Sequence, residues 1–173
     1  LVFTVGLMCF NIWEKWELNN RSELTIYNVN RSTAIDVFYG SQNVFIADEE
    51  LLKDDDKLLF HVKHNWFYRS GKENPYKTIL FDGSNNLLKF GEHHLFVLEG
   101  EYSAEIPKTD LVLIQNIAYL PDTIITDFVT RDVRVIVGSG VNYRLVNYLD
   151  KRLSPDQIHE LRNDGAFTYY FDP

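Results

Sequence analysis

Histidines are the residues of this chain with the widest chemical scope, and there are five of them. His61 and His64 are three residues apart, which brings two imidazoles to one face of a helix. Metal-binding helices more usually carry the i, i+4 pair of a His-Glu-x-x-His arrangement, and no Glu or Cys beside His61 and His64 completes a set. His93 and His94 are adjacent at a hairpin entrance; on a strand they are expected to point to opposite faces and not to chelate together. His159 stands alone. A zinc site asks for three or four converging N, S or O ligands, so these histidines predict none, and no cofactor is expected. Ser139 lies between Gly138 and Gly140. The nucleophile-elbow pattern G-x-S-x-G is absent, and no Lys-Ser/Thr end follows to make a phosphate-binding P-loop. A tight strand-to-helix connection is the expectation there. Asp54-Asp55-Asp56 reads as a helix N-cap with solvated charge rather than a cation site. Trp66-Phe67-Tyr68 beside Lys63 and Arg69 could stack on the bases of a single strand. Lys63, Trp66 and Arg69 are therefore candidate nucleic-acid contacts, the competing reading being a core with a solvated rim.

Composition narrows the classes. At 173 residues, with 45% hydrophobic, 24% charged and 14% aromatic residues, the chain can build one domain with a full core and is not disordered in character. A formal net charge of -8 repels a polyanion on average, since nucleic-acid affinity rests on Lys and Arg displacing counterions. The one cysteine, Cys9, cannot form an intramolecular disulfide. In its apolar run it reads as a small buried hydrophobe.

The opening Leu1-Val2-Phe3-Thr4-Val5-Gly6-Leu7-Met8-Cys9-Phe10-Asn11-Ile12-Trp13 is almost entirely apolar. A spanning helix needs about 20 such residues, and no basic segment or cleavage site marks a signal peptide. The first residue is Leu rather than Met, so the chain is expected to start inside a longer protein. Residues 1–20 are expected to be the end of a transmembrane or interfacial helix, with Trp13 and Trp16 as interfacial aromatics. An amphipathic helix packed on the domain is the competing reading, disfavoured because the run has no clean polar face.

The elements that must position any site begin at residue 22. Alternation predicts strands over 24–29, 34–39 and 43–47, the last two joined through Gly40-Ser41-Gln42, so the domain should open with a three-stranded meander. A helix should follow the aspartates, with Leu58, Leu59, Val62 and Trp66 on one face and Gly71 at its stop. Further strands are predicted over 78–81, 87–90, 95–99, 111–114 and 133–137. A short helix is predicted over 121–128 and another over 141–151. After Pro155 the pattern supports two readings. Ser154 with Gln157 resembles a capping box, whereas Ile158, Glu160, Ala166, Thr168 and Tyr170 fit a hairpin around Asn163-Asp164-Gly165, which is the expectation adopted. Strands with interspersed helices make this an α+β or α/β domain over residues 21–173, α+β being the expectation adopted.

Taken in order, these segments resemble the C-terminal domain of the ComEC family, the inner-membrane DNA-uptake channel of competent bacteria, in the form seen in Bacteroidetes-like members. The residues that carry the resemblance are 24–48, where Asn28-Val29-Asn30-Arg31-Ser32-Thr33-Ala34 stands in place of the family's D-V-G-Q-G-D-A. Phe60-His61 with Trp66-Phe67, residues 95–101, 109–116 and 135–149 with Asn142-Tyr143, and Gly165-Ala166-Phe167 complete it. The resemblance implies a metallo-β-lactamase-like β-sandwich flanked by helices, partly reduced, beside the inner membrane. Fuller members carry metal ligands there, and degradation of one DNA strand is proposed for them. At the matching positions this chain departs. The family's acids become Asn28 and Thr33, a Gly-Asp becomes Gly100-Glu101, and an adjacent His pair becomes Gln115-Asn116. Amides are poor ligands for a hydrolytic metal, so the resemblance implies a catalytically silent accessory domain. Its expected partners are the remainder of the same membrane protein, single-stranded DNA and other competence proteins. The competing readings are a degenerate hydrolase using Glu101 with His61 or His64, and a protein-interaction module unrelated to DNA.

Overall fold

A computed structural model of the chain describes residues 13, 21–70, 75–83, 85–100 and 106–172. Segment 1–20 apart from Trp13, and Cys9, Trp16, Gly71 and Glu101 within the sequence reading, lie outside the described residues. No helix among the described residues is long and apolar enough to cross a membrane.

Strands β1 (Ser22–Ile26), β2 (Ala34–Tyr39) and β3 (Gln42–Asp48) form the expected antiparallel meander. Gly40 supplies the left-handed residue its turn requires, with φ 62°. Strand β4 (Lys77–Phe81) adds to β3 in parallel, and β10 (Phe167–Phe171) adds to β1 in antiparallel fashion, giving a first sheet ordered β10-β1-β2-β3-β4. The second sheet runs β5 (Asn86–Phe90), β6 (His93–Glu99), β7 (Leu111–Gln115), β8 (Arg134–Val137) and β9 (Ile158–Glu160) in that order. Its last four strands are parallel. Leu111-Val112-Leu113-Ile114 is the continuous apolar run expected of a strand covered on both faces.

Three apolar clusters show how the layers stack. Between the sheets, Leu24, Ile26, Ile35, Val37 and Ile46 meet Leu95, Val97, Leu111, Leu113 and Ile136. On the outer face of the second sheet, Val112, Ile114, Val135 and Val137 pack against Ile125 and Phe128 of α4 (Asp122–Thr130) and Leu145, Val146 and Leu149 of α5 (Tyr143–Asp150). On the outer face of the first, Phe38, Phe45 and Ala47 are covered by a helical stretch. That stretch comprises α1 (Glu49–Leu52), α2 (Asp55–Leu58), a π-helical turn at Leu59–Lys63, and α3 (His64–Ser70). The result is a helix–sheet–sheet–helix sandwich, an α+β fold in which each fully buried Leu or Phe stabilises by roughly 1.5–3 kcal/mol.

Two sequence expectations are corrected by these elements. Leu58, Val62 and Trp66 face the sheet, but Leu59 does not; it is largely exposed. Buried positions recurring every four residues through the π-helical turn leave Leu59 on the outer side. The predicted terminal hairpin is not one either. Strand β9 ends in the second sheet, α6 (Leu161–Asp164) carries the chain across, and β10 pairs with β1 in the first sheet. The two strand patterns around Asn163-Asp164-Gly165 were legible, yet alternation alone does not say which sheet a strand joins. The Ser154–Gln157 contact forms as a capping box would, with Gln157 Oε1 accepting from Ser154 N and Oγ, both at 3.2 Å, but it closes a turn instead of opening a helix.

Candidate functional site

The C-terminal ends of β6, β7 and β8 lie beside one another, so residues just past their apolar runs share one rim of the sandwich. Alternation carries Glu99 onto the same inner face as Leu95 and Val97, and Gln115 onto that of Leu111 and Leu113. Glu99 and Gln115 are partners in register. Gly138 continues the face on β8; a Cβ there would lie 2.1 Å from Oε1 of Gln115, so the glycine makes room for that buried amide. Asn116 turns the chain out of β7 with φ 49°, a left-handed conformation Asn adopts more readily than most residues. Its Nδ2 donates to Glu99 Oε1 at 2.7 Å.

The first sheet supplies the loop that closes this rim. Residues 27–33 leave β1 and return to β2, pinned by Tyr27 N donating to Ala34 O at 2.9 Å. Ser139 Oγ donates to Val29 O at 3.1 Å, and Gly140 packs against Arg31 and Asn116 Oδ1. The loop 27–33, Gln115-Asn116 and Gly138-Ser139-Gly140 therefore meet, although they are far apart in sequence. Thr33 is buried, and its N–H donates to Asp48 Oδ2 at 2.7 Å; Asp48 Oδ1 caps α1 by accepting from Leu51 N at 2.8 Å. Asn28 is half-buried two residues past β1.

Four of the five positions singled out from the family pattern thus fall at one rim: Asn28 and Thr33 on the loop, Gln115 and Asn116 at the end of β7. Glu101 lies outside the described residues. Sequence reasoning passed over two carboxylates at this rim, Glu99 and Asp48. The signal for Glu99 was its place as the first charged residue after an apolar strand whose neighbour ends in Gln115.

Chemically the rim is dominated by amides. Two buried acceptors have no hydrogen-bond partner among the described residues, Glu99 Oε2 and Gln115 Oε1. A hydrolytic zinc or manganese asks for imidazoles and carboxylates. Here Glu99 has one oxygen bound to Asn116, Asp48 has both oxygens bound to the N–H groups of Thr33 and Leu51, and their neighbours are amides and a hydroxyl, so the described donor set does not fit such a metal. No three His, Cys, Asp or Glu side chains among the described residues come together in a way that could hold a metal. Ser139 is buried and bound to Val29, and its carbonyl accepts from Arg162. It serves a strand-to-helix connection, and Asn142 caps the helix that follows by accepting from Arg144 N at 2.9 Å.

The histidines lie elsewhere. His93 and His94 open β6, at the end of the sheet away from Gln115-Asn116. Both Nδ1 atoms approach Asp110 Oδ2, at 3.8 and 4.0 Å, and His93 also packs on Phe90 and Tyr169. A cavity of about 1020 Å³ opens at that same end between Glu92, Lys108, Asp110, Arg131, Arg134 and Asp156. It is far from the rim described above, and its lining mixes acids and bases without a dominant sign. His159 Nε2 lies 3.1 Å from Gly165 O and is packed on Phe167.

Two of the three candidate nucleic-acid contacts, Trp66 and Arg69, are buried. Trp66 is 3% exposed and donates from Nε1 to Asp36 Oδ2 at 2.6 Å; Arg69 is 7% exposed and pairs with Glu23 at 3.4 Å. Both sit between helix and sheet and offer a nucleobase no surface. Lys63 is partly exposed and bound to Asp55 at 3.0 Å. The group that organises this layer is Asp36, fully buried, which accepts from Tyr27 Oη at 2.8 Å, Asn43 Nδ2 at 2.7 Å and Trp66. Burial pushes its carboxyl up to about 6, against the pull of those three donors. Burial, and then the nearby Asp36, push the Tyr27 phenol upward.

Comparison with known proteins gives one match: a family model described as the ComEC C-terminal domain covers residues 24–170. No curated protein and no solved structure matches the chain.

Proposed function

The chain belongs to the ComEC C-terminal domain family, and on that premise we propose that it is an accessory, non-catalytic domain of an inner-membrane channel that takes up single-stranded DNA during natural transformation. The observation that carries the reading is the amide character of the shared rim. Asn28, Thr33, Gln115 and Asn116 occupy the family's ligand positions, and Thr33, Gln115 and Asn116 are built into the fold through Asp48, Gly138 and Glu99. A rim held together in this way supports scaffolding of the channel entry, with the remainder of the membrane protein and other competence proteins as partners.

Glu101 favours a second reading, a hydrolase with a degenerate site, because it is the acid that stands at the family's Gly-Asp position. The two readings separate in a nuclease assay on single-stranded DNA with added Zn or Mn. The accessory reading predicts no metal-dependent cleavage, and cleavage abolished by Glu101→Gln supports the hydrolase. Binding of the same DNA at low and moderate salt tests the link to nucleic acid. Direct contact predicts affinity that falls steeply with salt, and absence of binding at either salt assigns the domain to protein interaction alone.

A further inference from the structure

The rim through which the chain enters the sandwich carries exposed aromatic residues that none of the three core clusters absorbs. Arg21, the residue before β1, is fixed there: its carbonyl accepts from Arg69 Nη2 at 3.3 Å, and its guanidinium lies 4.4 Å from the Tyr170 ring centroid. Tyr39 ends β2 opposite Ser22, and Tyr76 precedes β4 with its N–H bound to Asn43 Oδ1 at 3.3 Å. Phe67 stands two residues before Arg69. Tyr76 is 70% exposed and Phe67 64%, and the stripe continues along the outer side of the helical stretch to Phe60 at 79%. The stretch is therefore apolar on two sides, with Leu58, Val62 and Trp66 turned inward and Phe60 and Phe67 turned outward. A helix in contact with water on its outer side is ordinarily polar there, and large exposed aromatics gathered on one face mark a contact surface.

The sequence leading to Arg21 indicates what covers it. Residues 1–13 are almost wholly apolar, and the eight residues from there to Arg21 reach at most about 27 Å. Aromatic rings with a nearby arginine suit the boundary between water and hydrocarbon, where an apolar body and a polar tip are both satisfied. Charges beside the stripe are mixed, Lys57 and Lys63 pairing with Asp54 and Asp55, so the face complements neither an acidic nor a basic partner. We propose that this entry rim, Tyr39, Phe67 and Tyr76 with the outward Phe60, rests in the headgroup region of a lipid bilayer. Strands of five to seven residues then hold the amide rim at their other end roughly 15–20 Å further from the lipid. The proposal depends on the family's membrane context and not on whether DNA is contacted.

The test uses the whole chain with Cys9→Ser and one new cysteine carrying the environment-sensitive fluorophore NBD, placed at Phe67, at Tyr76 or, near the opposite rim, at the exposed Tyr119. Vesicles of phosphatidylethanolamine and phosphatidylglycerol are added, with or without headgroup-region nitroxide lipids. At positions 67 and 76 the emission should shift to the blue, rise about twofold or more as the probe leaves water, and be quenched by the nitroxide. At position 119 it should stay unchanged. No response at 67 and 76 overturns the proposal, as does an equal response at 119. Emission at 67 that is already blue-shifted without lipid assigns the face to another occupant: a second copy if the shift grows with protein concentration, residues 1–20 if it does not.

Discussion

Two single residues set the character of the interior. Asp36 is a carboxylate held by three donors under the helical layer. Its folded pKa of about 6 stands above the 3.8 of an unburied aspartate, because burial penalises the charged form. The folded state therefore binds the proton more tightly than the unfolded state. The stability linked to this proton is fully present below about 3.8 and is lost as pH rises through about 6. Comparison of wild type with Asp36→Asn in urea melts isolates this term: the difference between them should change between pH 4 and 6 and be flat above. A carbonyl-carbon NMR titration of Asp36 with a midpoint near 4 would contradict it. At the rim, the packing of Gln115 over Gly138 makes a second prediction. Gly138→Ala should cost about 1–3 kcal/mol through overpacking. Because the obstruction is the Gln115 amide, the same change made in Gln115→Ala should cost much less, a coupling that a double-mutant cycle reads directly.

Elements divide sharply in how far the chain announced them. The meander, the apolar parallel strands, α4 and α5 follow from periodicity, since each has one face or two committed to a core. What periodicity left open was which layer each face meets. Asp36 alternates with Ile35 and Val37 as a solvent-facing residue would, and only the helical cover over that side turns it into a buried group. The same cover explains Arg69 and Trp66, whose types suggested nucleic-acid contacts and whose positions bind the helix to the sheet. Arg69 pairs with Glu23, bonds Arg21 O and lies over the ring of Phe38. Arg69→Ala should therefore destabilise the domain by about 3–5 kcal/mol, because Glu23 is left buried without its counter-charge. Affinity for single-stranded DNA should not change in the fraction that remains folded. A stable variant with weakened DNA binding would restore Arg69 to the nucleic-acid surface. The sheet that β9 joins, and the crossover after it, were illegible for a different reason: sheet membership of a short terminal strand depends on partners far away in the chain.

At the scale of the molecule, the fold gathers at one rim four positions that the sequence resemblance marks. Asn28, Thr33, Gln115 and Asn116 were found in the sequence because their order matched a pattern. That they share one rim with Glu99 and Asp48 required the second sheet to pair β6, β7 and β8 in parallel with their ends aligned. The entry rim with its aromatics lies at the other end of the first sheet, so the exposed aromatics and the amide rim are separated along the strands. The central claim is that this rim no longer supports a hydrolytic metal, and metal stoichiometry tests it most directly. The purified chain, equilibrated with excess Zn or Mn and freed of unbound ion, should retain far less than one metal per chain by elemental analysis. Retention of one or two equivalents, lost on Glu99→Gln or Glu101→Gln, would contradict the account.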